Sequence, residues 1–117
     1  MENTNPNDAL PLSETTLYIL VSLAPSPKHG YAIAKEVQTL SENRVTLSVS
    51  TLYTTLKRLL EDDWIERVGE DPDPDEGGRP RKIYALTGRG QRILAAEKMR
   101  LRALLALVQS RTAGEEV

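Results

Sequence analysis

Between positions 50 and 60 the chain reads STLYTTLKRLL. Ser50, Thr51 and Thr54 carry hydroxyls, Tyr53 a phenol, and Lys57 and Arg58 cationic donors, with no carboxylate until Glu61. Wound as a helix with Leu52 at zero, Leu56, Leu59 and Leu60 fall at about 40°, 340° and 80°, a compact apolar stripe. The hydroxyls and cations lie opposite, with Tyr53 on the flank. Such a face donates hydrogen bonds and carries positive charge, which suits phosphate oxygens and base edges. An ordinary solvated helix face uses the same residue types, so the segment alone leaves both readings open.

Two further clusters bear on the choice. In GGRPRK (77–82), Arg79, Arg81 and Lys82 flank the stiff Pro80, while Gly77 and Gly78 allow close backbone approach. This fits contact with a nucleic-acid backbone or minor groove. The alternative is a set of bases that neutralises the neighbouring EDPDPDE run (70–76). In KHGY (28–31), Lys28, His29 and Tyr31 open a helix, where free N–H groups favour an anion. The plainer readings make His29 a hydrogen-bonded turn residue and Tyr31 a core residue.

Catalytic chemistry finds little to work with. Cys is absent and His29 is the one histidine, which removes thiol nucleophiles, thiolate sites and histidine metal clusters. No nucleophile-elbow motif accompanies His29. The expectation is therefore no enzyme, no metal and no cofactor. The net charge of −2 argues against a phosphate partner until its distribution is considered. Residues 70–76 hold five acids and the EEV tail two more; without those seven, 10 of the 17 acids remain against 15 bases. The rest of the chain is mildly basic. No segment approaches the apolar length of a membrane span and no basic-then-apolar leader is present, so a cytoplasmic protein is expected.

At 117 residues the chain predicts one domain with an attached helix. With 4% aromatics and no Phe, Leu, Ile, Val and Ala must fill the core. Residues 1–11 are polar and turn-rich and read as a disordered arm. SETTLYILVSLA predicts a first helix capped by Ser13, with Leu17, Leu20, Val21 and Ala24 on one face. PSPKHG breaks the chain. YAIAKEVQTL predicts a second helix with Tyr31, Ile33, Ala34 and Val37 inward. SENRVTLSVS is a connector with room for a very short strand at Val45–Leu47. After the third helix, EDD stops it, with Asp63 able to take left-handed backbone. WIERVG and RKIYALT alternate like strands around the loop EDPDPDEGGRP, a long hairpin. Thr87 then caps a last helix, TGRGQRILAAEKMRLRALLALVQSR. Its stripe is Ile93, Leu94, Leu101, Leu104, Leu105 and Val108, and only its first turns can reach the core. A matching helix from a second copy is the simplest cover for the rest.

The order helix, helix, helix, strand, wing, strand, helix is that of a winged helix-turn-helix, in which the helix before the wing usually enters the major groove. The expected class is α+β and mostly helical, with a long C-terminal dimerisation helix. The expected organisation is an arm at 1–11, a winged domain at 12–87, a dimerisation helix at 88–111 and a flexible tail at 112–117.

From about Leu12 to Val108 the chain resembles the PadR-like transcriptional regulators. The resemblance rests on HGYAIAKEV (29–37), STLYTTLKRLLEDDWIE (50–66), GRPRKIYALTGRGQRIL (78–94) and the helix that follows. Two positions depart from the family pattern: Thr54 stands where Pro is usual and Asp63 where Gly is usual. The acidic wing loop is also longer than is typical. The resemblance implies a bacterial, homodimeric repressor of the smaller type, dimerised by one C-terminal helix. DNA contact is then expected from Ser50, Thr51, Tyr53, Thr54, Lys57, Arg58, Arg79, Arg81, Lys82 and Lys28. The dimer interface is expected from Leu94, Leu101, Leu104, Leu105 and Val108. Partners would be double-stranded operator DNA, a second copy and a small hydrophobic or aromatic effector, with Trp64 and Met99 as pocket candidates that suit packing better. The alternative is a winged-helix module that binds protein and not DNA.

Overall fold

The computed structural model describes residues 5–72 and 80–113. Helix α1 (Glu14–Leu23) starts as the sequence predicts, with Ser13 Oγ accepting the Thr16 amide at 3.1 Å. Its buried face is Thr16, Ile19, Leu20, Ser22 and Leu23, whereas Val21 and Ala24, expected inward, are exposed. The segment is apolar almost all round, so periodicity does not select a face. Ser22 enters the core because its hydroxyl donates to the Ile19 carbonyl at 2.7 Å.

A strand appears where the sequence shows only a chain break. Strand β1 (Lys28–His29) pairs antiparallel with β3 (Pro80–Leu86), which also pairs with β2 (Ile65–Pro72), in the order β1-β3-β2. The strand anticipated at Val45–Leu47 does not form. Val45 and Leu47 instead pack on the core as irregular chain after a turn that uses left-handed Glu42 and Asn43. Helix α2 (Gly30–Leu40) buries Ile33 and Val37 but leaves Tyr31 62% exposed, against the inward placement read from sequence.

Helix α3 (Val49–Glu61) is capped by Ser48, whose Oγ accepts the Thr51 amide at 3.1 Å. Leu52, Leu56 and Leu59 are buried and Leu60 is packed beside them, so the predicted stripe is the one that meets the core. The turn after it holds Asp63 at φ 64°, left-handed as expected. Strands β2 and β3 form the wing hairpin, with a bulge between Arg67 and Gly69 and with Ile65 and Tyr84 in the core.

Helix α4 (Gly88–Thr112) begins at Thr87, whose Oγ1 accepts the Gly90 amide at 3.0 Å and donates to the Asp63 carbonyl at 2.6 Å. Its first turns bury Gly90, Ile93 and Glu97, while from Leu101 to Ala113 every residue is exposed. The helix therefore leaves the domain. The radius of gyration is 16.6 Å, against about 13 Å expected for a compact chain of this length. Part of the arm expected to be disordered is in place: Pro6–Ala9 forms a 3-10 turn against α4, and Ala9 packs on the core. No helix among the described residues is long and apolar enough to cross a membrane.

Glu97 explains how the arm is held. Its carboxylate, 1% exposed, accepts from Arg100 Nε at 2.7 Å and Nη2 at 3.0 Å and from the Leu12 amide at 3.3 Å. The Arg100 hydrogen bond, assisted by the Leu12 amide and opposed by burial, holds the carboxyl below its ordinary value of 4.5. A depressed folded value means the unfolded chain takes up the proton first on acidification. The stabilisation is thus fully present above about pH 4.5 and lost as pH falls through the folded value. Glu97→Gln is expected to lower stability near pH 7 by about 1.5–3 kcal/mol. Thermal melts from pH 7 to 3 should show the gap to the parent closing below pH 4.5; a constant gap would contradict this account.

Candidate nucleic-acid interface

The outward face of α3 carries the side chains the sequence singles out. Ser50, Thr51, Thr54, Lys57 and Arg58 are all exposed, and Tyr53 is about half exposed. A cation-bearing face backed by buried leucines is held rigidly, because the leucines fix the helix rotation. Two members are not simply solvated. Arg58 donates from Nη2 to Thr16 Oγ1 of α1 at 3.1 Å. Tyr53 lies across Gly30 at the start of α2, where an added Cβ would meet its hydroxyl at 2.6 Å. Gly30 thus makes room for the ring, and the ring joins α3 to the N-terminus of α2.

That N-terminus is built by His29. Its Nδ1 accepts the Ala32 amide at 3.3 Å, an N-cap made by an imidazole. On the far side of the ring, Nε2 lies 3.1 Å from Arg81 Nη1 on β3. His29 therefore has a structural task, and its backbone pairing with Ile83 of β3 brings the wing base to the helix start. Arg81 also stands over the Tyr31 ring at 5.9 Å from its centroid, as does the Lys35 ammonium from the next turn of α2. Through these contacts Tyr53, the α2 N-terminus, Tyr31, Lys35 and Arg81 form one continuous surface. Lys82 is exposed beside it on the wing, while Arg79 and the glycines and acids of 73–79 lie outside the described residues.

Lys28 is engaged within the fold. Its ammonium is 3.3 Å from the Glu36 carboxylate and donates to the Ser26 carbonyl at 3.3 Å, with the side chain 17% exposed. It is paired inside the fold, whereas Lys57 makes no hydrogen bond or ion pair among the described residues. Tyr84, buried under this surface, has its phenol pushed above its ordinary value by burial, then by nearby Tyr53, with Arg67 opposing. It remains a neutral core phenol at physiological pH. Trp64 packs on the core as expected, whereas Met99 is exposed on α4.

Sequence reasoning missed Tyr31 and Lys35 as surface members. The signal was available: with Ile33 at zero, Val37 lies at about 40° but Tyr31 and Lys35 at about 160° and 200°. Thr16 carries no such local signal, since its partner Arg58 is 42 positions away.

Three helices, a two-stranded wing and a short third strand, with a donor-rich helix facing out beside the wing base, define a winged helix-turn-helix protein. The profile of the PadR-like family of transcriptional regulators matches residues 19–96. The chain belongs to that family. Solved structures agree. A PadR family transcription regulator from Clostridium difficile is 27% identical, with a TM-score of 0.67 over 86% of this chain and 99% of that one. A PadR-like transcription factor from Bacteroides fragilis is 28% identical, with a TM-score of 0.62 over 83% of this chain and 90% of that one. A PadR-like regulator from Bacillus cereus shares the fold at 22% identity, with a TM-score of 0.64 over 87% and 92%. No curated protein sequence matches the chain.

Proposed function

We propose that this transcriptional regulator is a homodimer that binds double-stranded DNA in a sequence-specific manner and represses the gene it controls. The observation that carries the reading is the continuity of the exposed donors of α3 with the α2 N-terminus and the wing base. Ser50, Thr51, Thr54, Lys57 and Arg58 then meet the major groove, with Lys57 and Arg58 donating to phosphate or to guanine O6 and N7. Tyr53, Tyr31, Lys35, Arg81 and Lys82 line the backbone beside it, and Lys28 supports the α2 start through Glu36. The exposed leucines of α4 pair two copies, so that paired half-sites match the two-fold axis. Repression, and its relief by a small hydrophobic or aromatic effector, rest on the family resemblance.

The test is fluorescence anisotropy with a labelled duplex from the region upstream of the protein's own gene, competed by a scrambled duplex. Affinity should fall steeply as salt rises, because each neutralised phosphate releases counterion. Arg58→Ala should weaken the cognate complex by about 1–3 kcal/mol if the residue reads a base, and should relax discrimination at that position. An equal loss on every duplex would make it a phosphate contact. The net charge of −2 and the acidic run favour one rival, a module that docks on protein. No duplex binding even at low salt, together with a stable complex with another chain, would decide for it.

A further inference from the structure

Thr16 stands in the first turn of α1, is 3% exposed and takes no part in the outward surface. Its Oγ1 accepts from two donors, Ser13 Oγ at 3.0 Å and Arg58 Nη2 at 3.1 Å. A hydroxyl oxygen has two lone pairs, so both are in use. The support beneath it is also fixed. Ser13 is the helix cap, and the amide of Leu12 before it is held by Glu97 Oε2 at 3.3 Å, itself clamped by Arg100. The acceptor that meets Arg58 is thus buried, capped and tied to α4.

We infer that Thr16 is a positioning residue for Arg58, holding its guanidinium ready for DNA. The inference rests on the DNA-binding reading above and deepens it. One bond uses one of the five N–H donors of the guanidinium and leaves the others for a ligand. A long side chain that must be ordered on binding costs affinity, whereas one already anchored by a buried hydroxyl has lost that freedom on folding. Lys57, its neighbour on α3, has no such anchor among the described residues. The two cations of this helix therefore differ in kind: Arg58 is anchored by a buried hydroxyl and Lys57, among the described residues, is not. Arg58 is accordingly the one suited to a fixed geometry at a base edge, where a planar fork matters more than a point charge.

The rival is that Arg58 is a strut between α3 and α1 with no effect on recognition. A double-mutant cycle separates the two. A duplex is first enriched by the parent protein from a random pool. Its affinity and that of a scrambled duplex are then measured for the parent, Thr16→Val, Arg58→Ala and the double variant, each with a melting temperature. Thr16→Val should weaken the enriched duplex by about 3- to 10-fold, and the scrambled duplex by less. It should have no further effect once Arg58 is gone. Thr16→Ser, which keeps the hydroxyl, should restore discrimination. If Thr16→Val does not fold, Thr16→Ala is read in the same cycle. Equal losses with and without Arg58, equal losses on both duplexes, or a lower melting temperature with unchanged discrimination would each overturn the inference. Failure of the underlying reading shows earlier and differently, as a parent protein that enriches no duplex.

Discussion

Gly90→Ala is expected to unfold at a much lower denaturant concentration than the parent. A Cβ at position 90 would stand 2.1 Å from the Trp64 carbonyl oxygen and 3.1 Å from its carbon. The obstacle is backbone, which cannot swing aside as a side chain can, so relief requires α4 to move away from the turn between α3 and β2. That turn is where α4 is fastened. The Thr87 amide donates to the Trp64 carbonyl at 3.1 Å and the Thr87 hydroxyl to the Asp63 carbonyl at 2.6 Å. Overpacking costs about 1–3 kcal/mol, and each bond loosened by the shift costs about 1 kcal/mol more. A loss of about 3–5 kcal/mol is expected from a total that for domains of this size is about 5–15 kcal/mol. Gly88→Ala is the control, since its Cβ would meet only the Arg92 guanidinium at 3.5 Å. It should stay within about 1 kcal/mol of the parent. Urea titrations of the three proteins read the difference directly, and similar midpoints for both variants would refute the argument.

Leu104→Glu is expected to convert a dimer into a folded monomer. Leu104 lies beyond Glu97, after α4 has left the domain, and it is about half exposed in the isolated chain, as are Leu105 and Val108. Leu101 is a little less exposed, and Leu94, nearer the domain, already packs on the core. The protomer therefore loses little of its own core when Leu104 changes. In a two-fold pair the same substitution occurs twice. Burial of each leucine contributes about 1.5–3 kcal/mol, so the pair should lose about 3–6 kcal/mol, or roughly 10²- to 10⁴-fold in its dissociation constant. Arg102→Glu, off the stripe, should leave assembly intact. Light scattering at micromolar concentration distinguishes the species, with a melting temperature to verify the fold. Affinity for paired half-sites should fall with the dimer. A parent protein that is monomeric at that concentration would remove the basis for the expectation, and with it the role given to Leu101, Leu105 and Val108.

How far these features are legible in the chain depends on how local their causes are. Ser13 and Thr87 read correctly as caps because a hydroxyl needs only the amide three residues on. The α3 stripe reads correctly because leucines alternate there with hydroxyls and cations, leaving one rotation that buries apolar surface. Asp63 reads correctly because a helix stop needs left-handed backbone at that point and aspartate tolerates it. The face of α1 does not read, because a helix apolar on nearly every side can turn several ways at similar cost. Tyr31 misleads for a related reason: an aromatic ring suits the core, yet here it serves as a platform for Lys35 and Arg81. Strand β1 is two residues long and exists only because β3 offers it a ladder; no periodicity can announce it.

By itself, then, the sequence determined the helices that carry donors, the caps that start them, the hairpin between α3 and α4, and the leucines of α4 that the domain's own core leaves exposed. These follow from interactions spanning a few residues, where spacing in the chain equals spacing in the molecule. Only the tertiary structure decided that Arg58 leans on Thr16, that Tyr53 crosses Gly30, that Arg81 meets His29 and that Glu97 grips the Leu12 amide 85 positions away. Each of those pairings depends on the relative placement of whole elements. That placement is set by the summed packing of a core to which no single residue contributes more than a few kcal/mol.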